Sequence, residues 1–544
     1  MKKMEQVKFN HFGVMLDMSR NAVMKVSEIK HFMTIIKKMG YNSLELYMED
    51  TFEVINEPYF GYMRGRYTKE ELKELDAYAK SIGIELIPAI QTLAHFTNMV
   101  RHGCYGGIID CGDILLAGEE KTYEFLDRII STIAECFSSD LINIGMDEAH
   151  MVGLGAYLEK NGFQDRFDIL IKHLNRVAEI CAKYNLKPHM WSDMFFRLAT
   201  GGYYIEKPIE IPQNIKDRVP VNVDLIYWDY YNTDEKIYDA MFKTHNAFNR
   251  KTWFAGGAWC WNGFAPHNQF SLITMKVAMK ELQKNNIENV MITMWGDDGK
   301  DCSFYSVIPA LFAIRRYADG EFDDEIIKTE FFKLFNISFD DFMLLDIPNY
   351  SIASQKDLAN LSVPQNPSKS LLYSDVMLGN LDLAYQAQKP IPYNEYAKKL
   401  ESAAQRVGEY NYIFMCLSKL CKALDIKVEL GFNIRNAYKK GEKAYLKNYI
   451  PDILKCKDAV KEFHKSFYYL WHKENKSFGW EVHDIRIGGV IQRLDTLYNI
   501  IIDYTEGRLE QIDEFEVELL FEYPSRNLYC NRYKELASYS NLGD

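Results

Sequence analysis

The feature that most constrains the fold of this chain is a regular alternation of short apolar runs with longer amphipathic segments over the first three hundred residues. Strands that alternate with helices pair in parallel, and eight such units predict an α/β protein built on a closed (β/α)8, or TIM-type, barrel. The eight predicted strands cover residues 12–18, 43–48, 84–90, 141–146, 187–191, 221–228, 251–259 and 289–295.

The segments between the runs have helical spacing, and the strand pattern stops near residue 305. We therefore predict a catalytic barrel over residues 1–320 and a mainly α-helical C-terminal domain over residues 321–544. Predicted barrel helices cover 27–39, 68–81, 119–137, 163–184 and 270–285. Beyond them we predict two short helices within 320–345, a loop over 366–375, and long helices over 394–440, 442–473 and 485–506.

Charge and composition exclude several classes of partner. The formal net charge is −12 and no dense block of lysine and arginine occurs, so we expect no nucleic-acid binding. No apolar run approaches the length of a membrane span, and the N-terminus lacks the apolar stretch of a secretory signal. The ten cysteines form no C-x-x-C pair and are predicted to be reduced thiols of a cytoplasmic protein.

The predicted strand ends are rich in acidic and aromatic residues. Catalytic groups of (β/α)8 barrels lie at the C-terminal ends of the strands. A single acid there is often a helix cap and a single tryptophan is often core, but eight such ends together indicate a ligand site. These end residues are Asp17, Asp50, His95, Asp147, Glu148, Trp191, Asp193, Trp228, Asp229, Tyr230, Tyr231, Trp259, Trp261, Trp295, Asp297 and Asp298.

Aromatic walls combined with carboxylates suit a sugar, whose C–H face packs on rings and whose hydroxyls donate to carboxylates. The sequence has no Cys/His metal cluster, no G-x-x-x-x-G-K-[ST] loop and no G-x-S-x-G motif, so we predict no metal and no cofactor. Hydrolysis of a glycosidic bond usually needs two carboxyl groups that face each other across that bond.

The adjacent acids Asp147 and Glu148 do not fit that usual arrangement, because neighbouring residues of a strand point to opposite sides. A substrate with a 2-acetamido group can supply its own nucleophile, the acetamide oxygen. Asp147 would then orient the acetamide and stabilise the oxazolinium intermediate, while Glu148 would protonate the leaving oxygen and later deprotonate water.

Four motifs carry a family resemblance over about residues 8–305. The segments "INIGMDEAH", "FGVMLDMSRN", "IPAIQTLAHFTN" and "TMWGDDG" resemble those of family-20 glycoside hydrolases, the β-N-acetylhexosaminidases. The resemblance implies Asp147 as the acetamide-orienting residue and Glu148 as the acid/base. It also implies His95 with Asp50 as a supporting pair, the pocket walls Trp191, Trp228 and Trp295, and Asp297 as a ligand of the outer hydroxyls.

The sequence also departs from the family pattern. The arginine that usually grips the sugar hydroxyls is expected to have no counterpart, with Phe12 or His11 in its place. Either Tyr230 or Tyr231 would hold the acetamide carbonyl, with Trp259 and Trp261 as neighbours. These changes resemble a divergent intracellular subgroup with a helical domain after the barrel, which implies that both gluco- and galacto-configured sugars are accepted.

Segment 474–494 has two interpretations. It is either an ordinary helix–helix connection, which we favour, or a loop that brings Trp480 or Arg486 to a barrel mouth, including that of a second subunit. Apolar helical faces also leave open a homodimer.

We therefore predict a retaining exo-β-N-acetylhexosaminidase that removes terminal β-linked GlcNAc or GalNAc from oligosaccharides or glycosides. One alternative is a two-carboxylate (β/α)8 glycosidase that pairs Glu148 with Asp193 or Asp297 on sugars without an acetamide. Another is a sugar-binding protein that has lost turnover.

Overall fold

The computed structural model describes residues 8–200, 202–351, 363–520 and 528–542. Eight parallel strands close into a barrel, which confirms the predicted (β/α)8 architecture. Sequential strands are neighbours, and β8 closes on β1 with His11 opposite Asn289 and Leu16 opposite Met294. The barrel strands, labelled β1 to β8 in chain order, are His11–Asp17, Ser43–Tyr47, Glu85–Ala89, Leu141–Asn143, Lys187–Trp191, Asp224–Trp228, Thr252–Gly257 and Asn289–Met294.

The barrel helices begin and end close to the predicted positions. Thr68 shows why: its side-chain oxygen accepts the Glu71 backbone N–H, and the Glu71 carboxylate accepts the Thr68 backbone N–H in return. The longer helices of this region are Val26–Met39, Lys69–Ser81, Glu120–Cys136, Arg166–Lys183, Glu235–Asn246, Asn268–Lys284 and Ile308–Ala318. Shorter helices are Thr97–Val100, Ala156–Asn161, Asp193–Thr200 and Gln213–Lys216, and Ile109–Cys111 with Ile114–Leu115 forms a small hairpin.

The barrel interior contains a buried polar cluster beneath the apolar core. The Glu45 carboxylate accepts a hydrogen bond from the Asn143 amide at 3.2 Å and lies 3.1 Å from Nε2 of His189. The His189 ring stacks on Trp253 with a centroid distance of 4.5 Å. Glu45 and His189 lie two residues before the ends of their strands and Trp253 lies four before the end of its strand, so these side chains fill the barrel below the mouth.

Beyond residue 320 the described chain is mainly helical, as predicted. The predicted boundary between residues 320 and 321 falls between the helices Ile308–Ala318 and Asp324–Phe335, and the division into two domains stays a prediction. The helices of this part are Asp324–Phe335, Phe339–Met343, Pro367–Tyr373, Asp382–Gln388, Tyr393–Ala404, Asn411–Lys439, Ile450–Glu474, Trp480–Thr505, Asp513–Glu516 and Tyr533–Ala537.

Three details of the helical region differ from the predictions. The predicted loop 366–375 contains the helix Pro367–Tyr373, because every residue of that helix is buried and its backbone groups must pair internally. The predicted helix 394–440 is divided between Tyr393–Ala404 and Asn411–Lys439. Segment 474–494 mostly belongs to the helix Trp480–Thr505, so it is not a loop.

Candidate active site

A pocket opens at the C-terminal ends of the barrel strands. The residues predicted to be catalytic or to bind the sugar all line it except Asp50 and Trp259. Its lining residues are Arg20, Tyr47, His95, Asp147, Glu148, Trp191, Trp228, Tyr230, Tyr231, Trp261, Trp295 and Asp297.

The two adjacent acids do not continue β4, which ends at Asn143. The chain turns sharply between them, because Gly145, Met146 and Glu148 all have positive φ angles of 70°, 72° and 51°. At Gly145 a Cβ atom would lie only 2.1 Å from the Gln91 side chain, so both the φ angle and the space require glycine. This loop, rather than strand alternation, decides where the two carboxylates point.

Asp147 is the less exposed member of the pair, with 13% of its side chain exposed. Its carboxylate accepts a hydrogen bond from the Gln91 amide at 2.7 Å and lies 3.2 Å from Nε2 of His95. Burial opposes its ionisation, but the charge of His95 and the hydrogen bond from Gln91 outweigh burial and hold the pKa of Asp147 below its usual value. Asp147 is therefore a fixed anion on the pocket wall.

Glu148 is the accessible member of the pair, with 47% of its side chain exposed. Its carboxylate lies 4.0 Å from Nε2 of His95. Its backbone N–H donates to the carboxylate of Asp193 at 3.2 Å, which ties the strained loop to the end of β5. Glu148 is thus anchored through its backbone, while its carboxylate faces the pocket.

His95 links both acids, but its expected partner Asp50 is elsewhere. The Asp50 carboxylate instead accepts from Arg64 at 3.2 Å, and no ion pair joins Asp50 to His95 among the described residues. The predicted His95–Asp50 pair is therefore wrong. Burial opposes the imidazolium, but Asp147 and then Glu49 outweigh burial and raise the pKa of His95 to about 10.

An arginine does reach the pocket, which contradicts the expectation that none would. Phe12 and His11 begin β1 at the opposite end of the barrel, so neither can replace a residue of the mouth. Arg20 follows the C-terminal end of β1 instead and lies 3.7 Å from the carboxylates of both Asp17 and Glu49. The "LDMSR" segment of the first-strand motif contained the signal for it.

Two further buried acids, Glu49 and Asp193, contact the pocket residues Arg20 and Glu148 respectively. Burial raises the pKa of Glu49 to about 7 although Arg20 acts in the other direction. Burial and the nearby Asp147 charge raise the pKa of Asp193 to about 7, against the effect of Arg197. Such displaced pKa values concentrate at functional sites.

Aromatic rings form most of the pocket wall. Trp228 stacks on Tyr230 with a centroid distance of 5.4 Å, and Trp295 meets the ring of Tyr47 edge-on at 5.1 Å. Trp259 stands behind this wall: its ring stacks on Trp261 at 4.2 Å, and its indole N–H donates to the Tyr230 carbonyl at 2.9 Å. Trp259 therefore supports the wall without lining the pocket.

Several polar atoms at the pocket are buried without a hydrogen-bond partner in the part of the chain that the structure describes. They include Nε of Arg20, Nε1 of Trp191 and Oδ1 of Asp193. Buried polar atoms are nearly always paired in proteins, so these atoms are available to a polar ligand of the pocket.

Segment 474–494 also contacts the loop after β8 at the barrel mouth. Arg486 donates to the Asp298 carboxylate at 2.6 Å, next to the pocket residue Asp297, within the same chain. Trp480 packs instead among Phe467 and Trp471.

Within the described residues, no group of three or more His, Cys, Asp or Glu side chains has the arrangement of a metal site. None of the helices in the described ranges is both long and apolar enough to cross a membrane.

The barrel and the acid-and-tryptophan pocket define a protein of the (β/α)8 glycosidase type, and comparison with known proteins gives the family. Residues 9–236 match the family description "Glycosyl hydrolase family 20, catalytic domain", and residues 340–531 match "Glycoside Hydrolase 20C C-terminal domain". The chain belongs to glycoside hydrolase family 20.

Individual relatives are distant. The chain is 24% identical to hexosaminidase D of Bos taurus over 226 residues, which is 39% of this chain and 60% of that protein. It is 24% identical to hexosaminidase D of Homo sapiens over 225 residues, 39% of this chain and 43% of that protein. The matches thus span less than two thirds of either relative.

Among solved structures, the exo-β-N-acetylglucosaminidase of Vibrio harveyi is similar with a TM-score of 0.47 and 14% identity, over 62% of this chain and 58% of that one. The chitobiase of Flavobacterium johnsoniae has a TM-score of 0.47 and 12% identity, over 93% of this chain and 74% of that one.

Proposed function

We propose that this protein is a retaining exo-β-N-acetylhexosaminidase that releases terminal β-linked GlcNAc or GalNAc by substrate-assisted catalysis. The observation that carries the proposal is the contrast between Asp147, which is only 13% exposed and held from two sides, and Glu148, which is half exposed at the same pocket. One carboxylate is suited to hold a substrate group, and the other to exchange a proton with a departing oxygen and with water.

In the proposed first step, the acetamide oxygen of the substrate attacks C1 as the bond to the leaving oxygen breaks. Glu148 gives its proton to that oxygen, and Asp147 accepts the acetamide N–H and stabilises the positive oxazolinium. In the second step Glu148 takes a proton from water, and the water oxygen attacks C1. This attack opens the oxazolinium ring and leaves the configuration at C1 retained overall. The protonated His95 beside Asp147 favours the anionic form of that carboxylate throughout the reaction.

The dimensions and walls of the pocket support cleavage of a single terminal sugar. Its cavity volume is about 160 Å³, and rings surround it on several sides. Trp191, Trp228 and Trp295 offer flat apolar faces to a sugar ring, while Arg20 and Asp297 are suited to bind its outer hydroxyls. Tyr230 or Tyr231 would hold the acetamide carbonyl.

The two-carboxylate alternative requires a second acid that faces Glu148 across the bond. Asp193 is fully buried, and its carboxylate accepts the backbone N–H of Glu148 and the Arg197 guanidinium. Because these hydrogen bonds occupy the Asp193 carboxylate, Asp297 is the pocket acid that remains available to act with Glu148 in such a mechanism.

The test compares 4-nitrophenyl β-GlcNAc, β-GalNAc and β-glucoside as substrates of the purified protein. We expect turnover of the two N-acetyl substrates and none of the glucoside, with inhibition by a GlcNAc-thiazoline that mimics the oxazoline. Turnover of the glucoside at a similar rate without thiazoline inhibition would favour the two-carboxylate glycosidase. Binding of GlcNAc without any turnover would favour the sugar-binding protein.

We further propose that the enzyme acts in the cytoplasm, from the cysteine pattern of the sequence, and as a homodimer. Exposed apolar side chains of the helical region, such as Ile485 at 70% and Tyr469 at 60% exposure, support the second proposal. Cell fractionation and light scattering of the eluted protein test the two statements.

A further inference from the structure

The helical region returns to the barrel mouth through residues 528–533. The Asn366 side chain holds this segment from both sides, because its amide donates to the Cys530 carbonyl at 3.0 Å and its oxygen accepts the Cys530 N–H at 3.1 Å. The Tyr533 backbone N–H donates to the Asp298 carboxylate at 2.9 Å. The segment is therefore tied both to the helical region and to the loop that follows β8.

Within this segment, Asn531 contacts the pocket acid Asp297. Its amide nitrogen donates to Oδ2 of Asp297 at 3.2 Å. In the described part of the chain this is the one hydrogen bond of the Asp297 carboxylate, and the amide oxygen of Asn531 is buried without a donor. A buried amide with an unpaired oxygen lowers the free energy of unfolding, so stability does not explain the contact of Asn531 with Asp297. The contact calls for a functional explanation.

The Asp297 carboxylate lies among charges but no charged group contacts it at ion-pair distance within the described residues. Without Asn531, the orientation of the Asp297 carboxylate would therefore be poorly fixed, because charge attraction lacks the directionality of a hydrogen bond. The titratable and charged groups whose electrostatic influence couples them to Asp297 include Arg20, Asp17, Lys369, Glu148, Tyr231, Tyr529 and Cys260.

We propose that Asn531 is a positioning residue that aims the Asp297 carboxylate at the outer hydroxyls of the terminal sugar, so that the helical region completes the sugar pocket of the barrel. The inference deepens the proposed function and rests on it. By occupying Oδ2, the Asn531 amide leaves Oδ1 of Asp297 to accept from a sugar hydroxyl.

This arrangement predicts an effect on substrate binding more than on the chemical step. Asp297 would contact the sugar in the ground state and in the transition state alike, so loss of its orientation raises KM with little change in kcat. It also predicts a pH effect, because the Asn531 amide favours the ionised carboxylate. Burial raises the pKa of Asp297 to about 6, against the effect of Arg20, and loss of the amide would raise it further.

The experiment measures kcat and KM from pH 4.5 to 9 on 4-nitrophenyl β-GlcNAc and β-GalNAc for three variants of the full chain. Asn531→Leu keeps the side-chain size without a donor, and Asn531→Asp replaces the donor by a second acid. Asn531→Gln keeps an amide donor as the conservative variant. Arg532→Ala is the matched control, since its side chain is 74% exposed on the neighbouring residue.

We expect Asn531→Leu to raise KM about tenfold, as for loss of one hydrogen bond to a charged group, with kcat within about threefold. The acidic limb of kcat/KM should move to higher pH in Asn531→Leu and further in Asn531→Asp, while Asn531→Gln recovers part of the loss and Arg532→Ala resembles the wild type. If Asn531→Leu does not fold, the shift in Asn531→Asp decides the question.

Unchanged KM and an unchanged acidic limb in a folded Asn531→Leu or Asn531→Asp protein would overturn the inference but leave the proposed function intact. A wild-type protein that turns over neither substrate would overturn both.

Discussion

Nε2 of His95 lies 3.2 Å from the Asp147 carboxylate and 4.0 Å from the Glu148 carboxylate, so one imidazole stands beside both acids of the pocket. The two acids nevertheless differ in environment. Asp147 is mostly covered and is held by His95 and Gln91, whereas nearly half of the Glu148 side chain is exposed. Different environments of neighbouring carboxyl groups are how one site assigns them different roles.

The proposed roles of Asp147 and Glu148 predict that the activity lost on substitution depends on the leaving group of the substrate for Glu148 but not for Asp147. Glu148→Gln should lower kcat/KM on a β-linked N-acetylhexosamine disaccharide by about a hundred- to ten-thousandfold, because its leaving oxygen needs a proton. The loss on the 4-nitrophenyl glycoside should be much smaller, since nitrophenolate leaves unprotonated. Asp147→Asn should impair both substrates alike. Equal losses for both substrates in Glu148→Gln would contradict the role of that residue as the acid.

His95 predicts a pH dependence of stability. Its folded-state pKa of about 10 lies above the ordinary 6.5, so its contribution to stability is complete below pH 6.5 and is lost as the pH rises towards 10. The wild type should therefore lose more stability between pH 6.5 and 10 than His95→Gln does, as measured by urea unfolding. His31→Gln, at a 40% exposed side chain, is the control and should follow the wild type. Parallel pH curves for the wild type and His95→Gln would speak against a charged His95.

Replacement of Arg20 should weaken sugar binding, even when the new residue is lysine. Its guanidinium bridges Asp17 and Glu49, and a lysine ammonium lacks the planar fork that reaches several oxygens at once. Arg20→Lys should raise KM for 4-nitrophenyl β-GlcNAc about tenfold or more, with Arg20→Ala at least as severe. Arg101→Ala, on an exposed residue, should leave KM unchanged. A wild-type KM in Arg20→Lys would exclude a direct role in sugar binding.

The polar cluster inside the barrel predicts a stability effect without a catalytic one. Glu45→Ala leaves the Asn143 amide and the His189 ring without their buried partner, which should lower the free energy of unfolding by about 2–4 kcal/mol. Glu74→Ala, at a side chain that is 57% exposed, should change it by less than about 0.5 kcal/mol. Denaturant unfolding measures both values, and kcat/KM of the folded Glu45→Ala protein should stay close to that of the wild type. A drop in activity without a drop in stability would instead connect this cluster to the pocket.

The strands and the pocket acids were predictable because each is a local pattern. The short run 187–191 is too short for a barrel helix and follows one in the alternating pattern, which predicts a strand, and the observed β5 has those bounds. The predicted loop at 366–375 failed for the opposite reason, since the helix Pro367–Tyr373 exists because the surrounding protein buries it completely.

The sequence by itself determined the eight-stranded barrel and the positions of Asp147 and Glu148 at one of its strand ends, because side-chain periodicity and strand-end chemistry are properties of neighbouring residues. Only the tertiary structure decided that His95 lies beside Asp147 and Glu148 while Asp50 pairs with Arg64, and that Asn531 meets Asp297 across 234 positions of the chain. Backbone turns and packing set such contacts, and neither a turn direction nor a long-range approach leaves a periodic signal in the sequence.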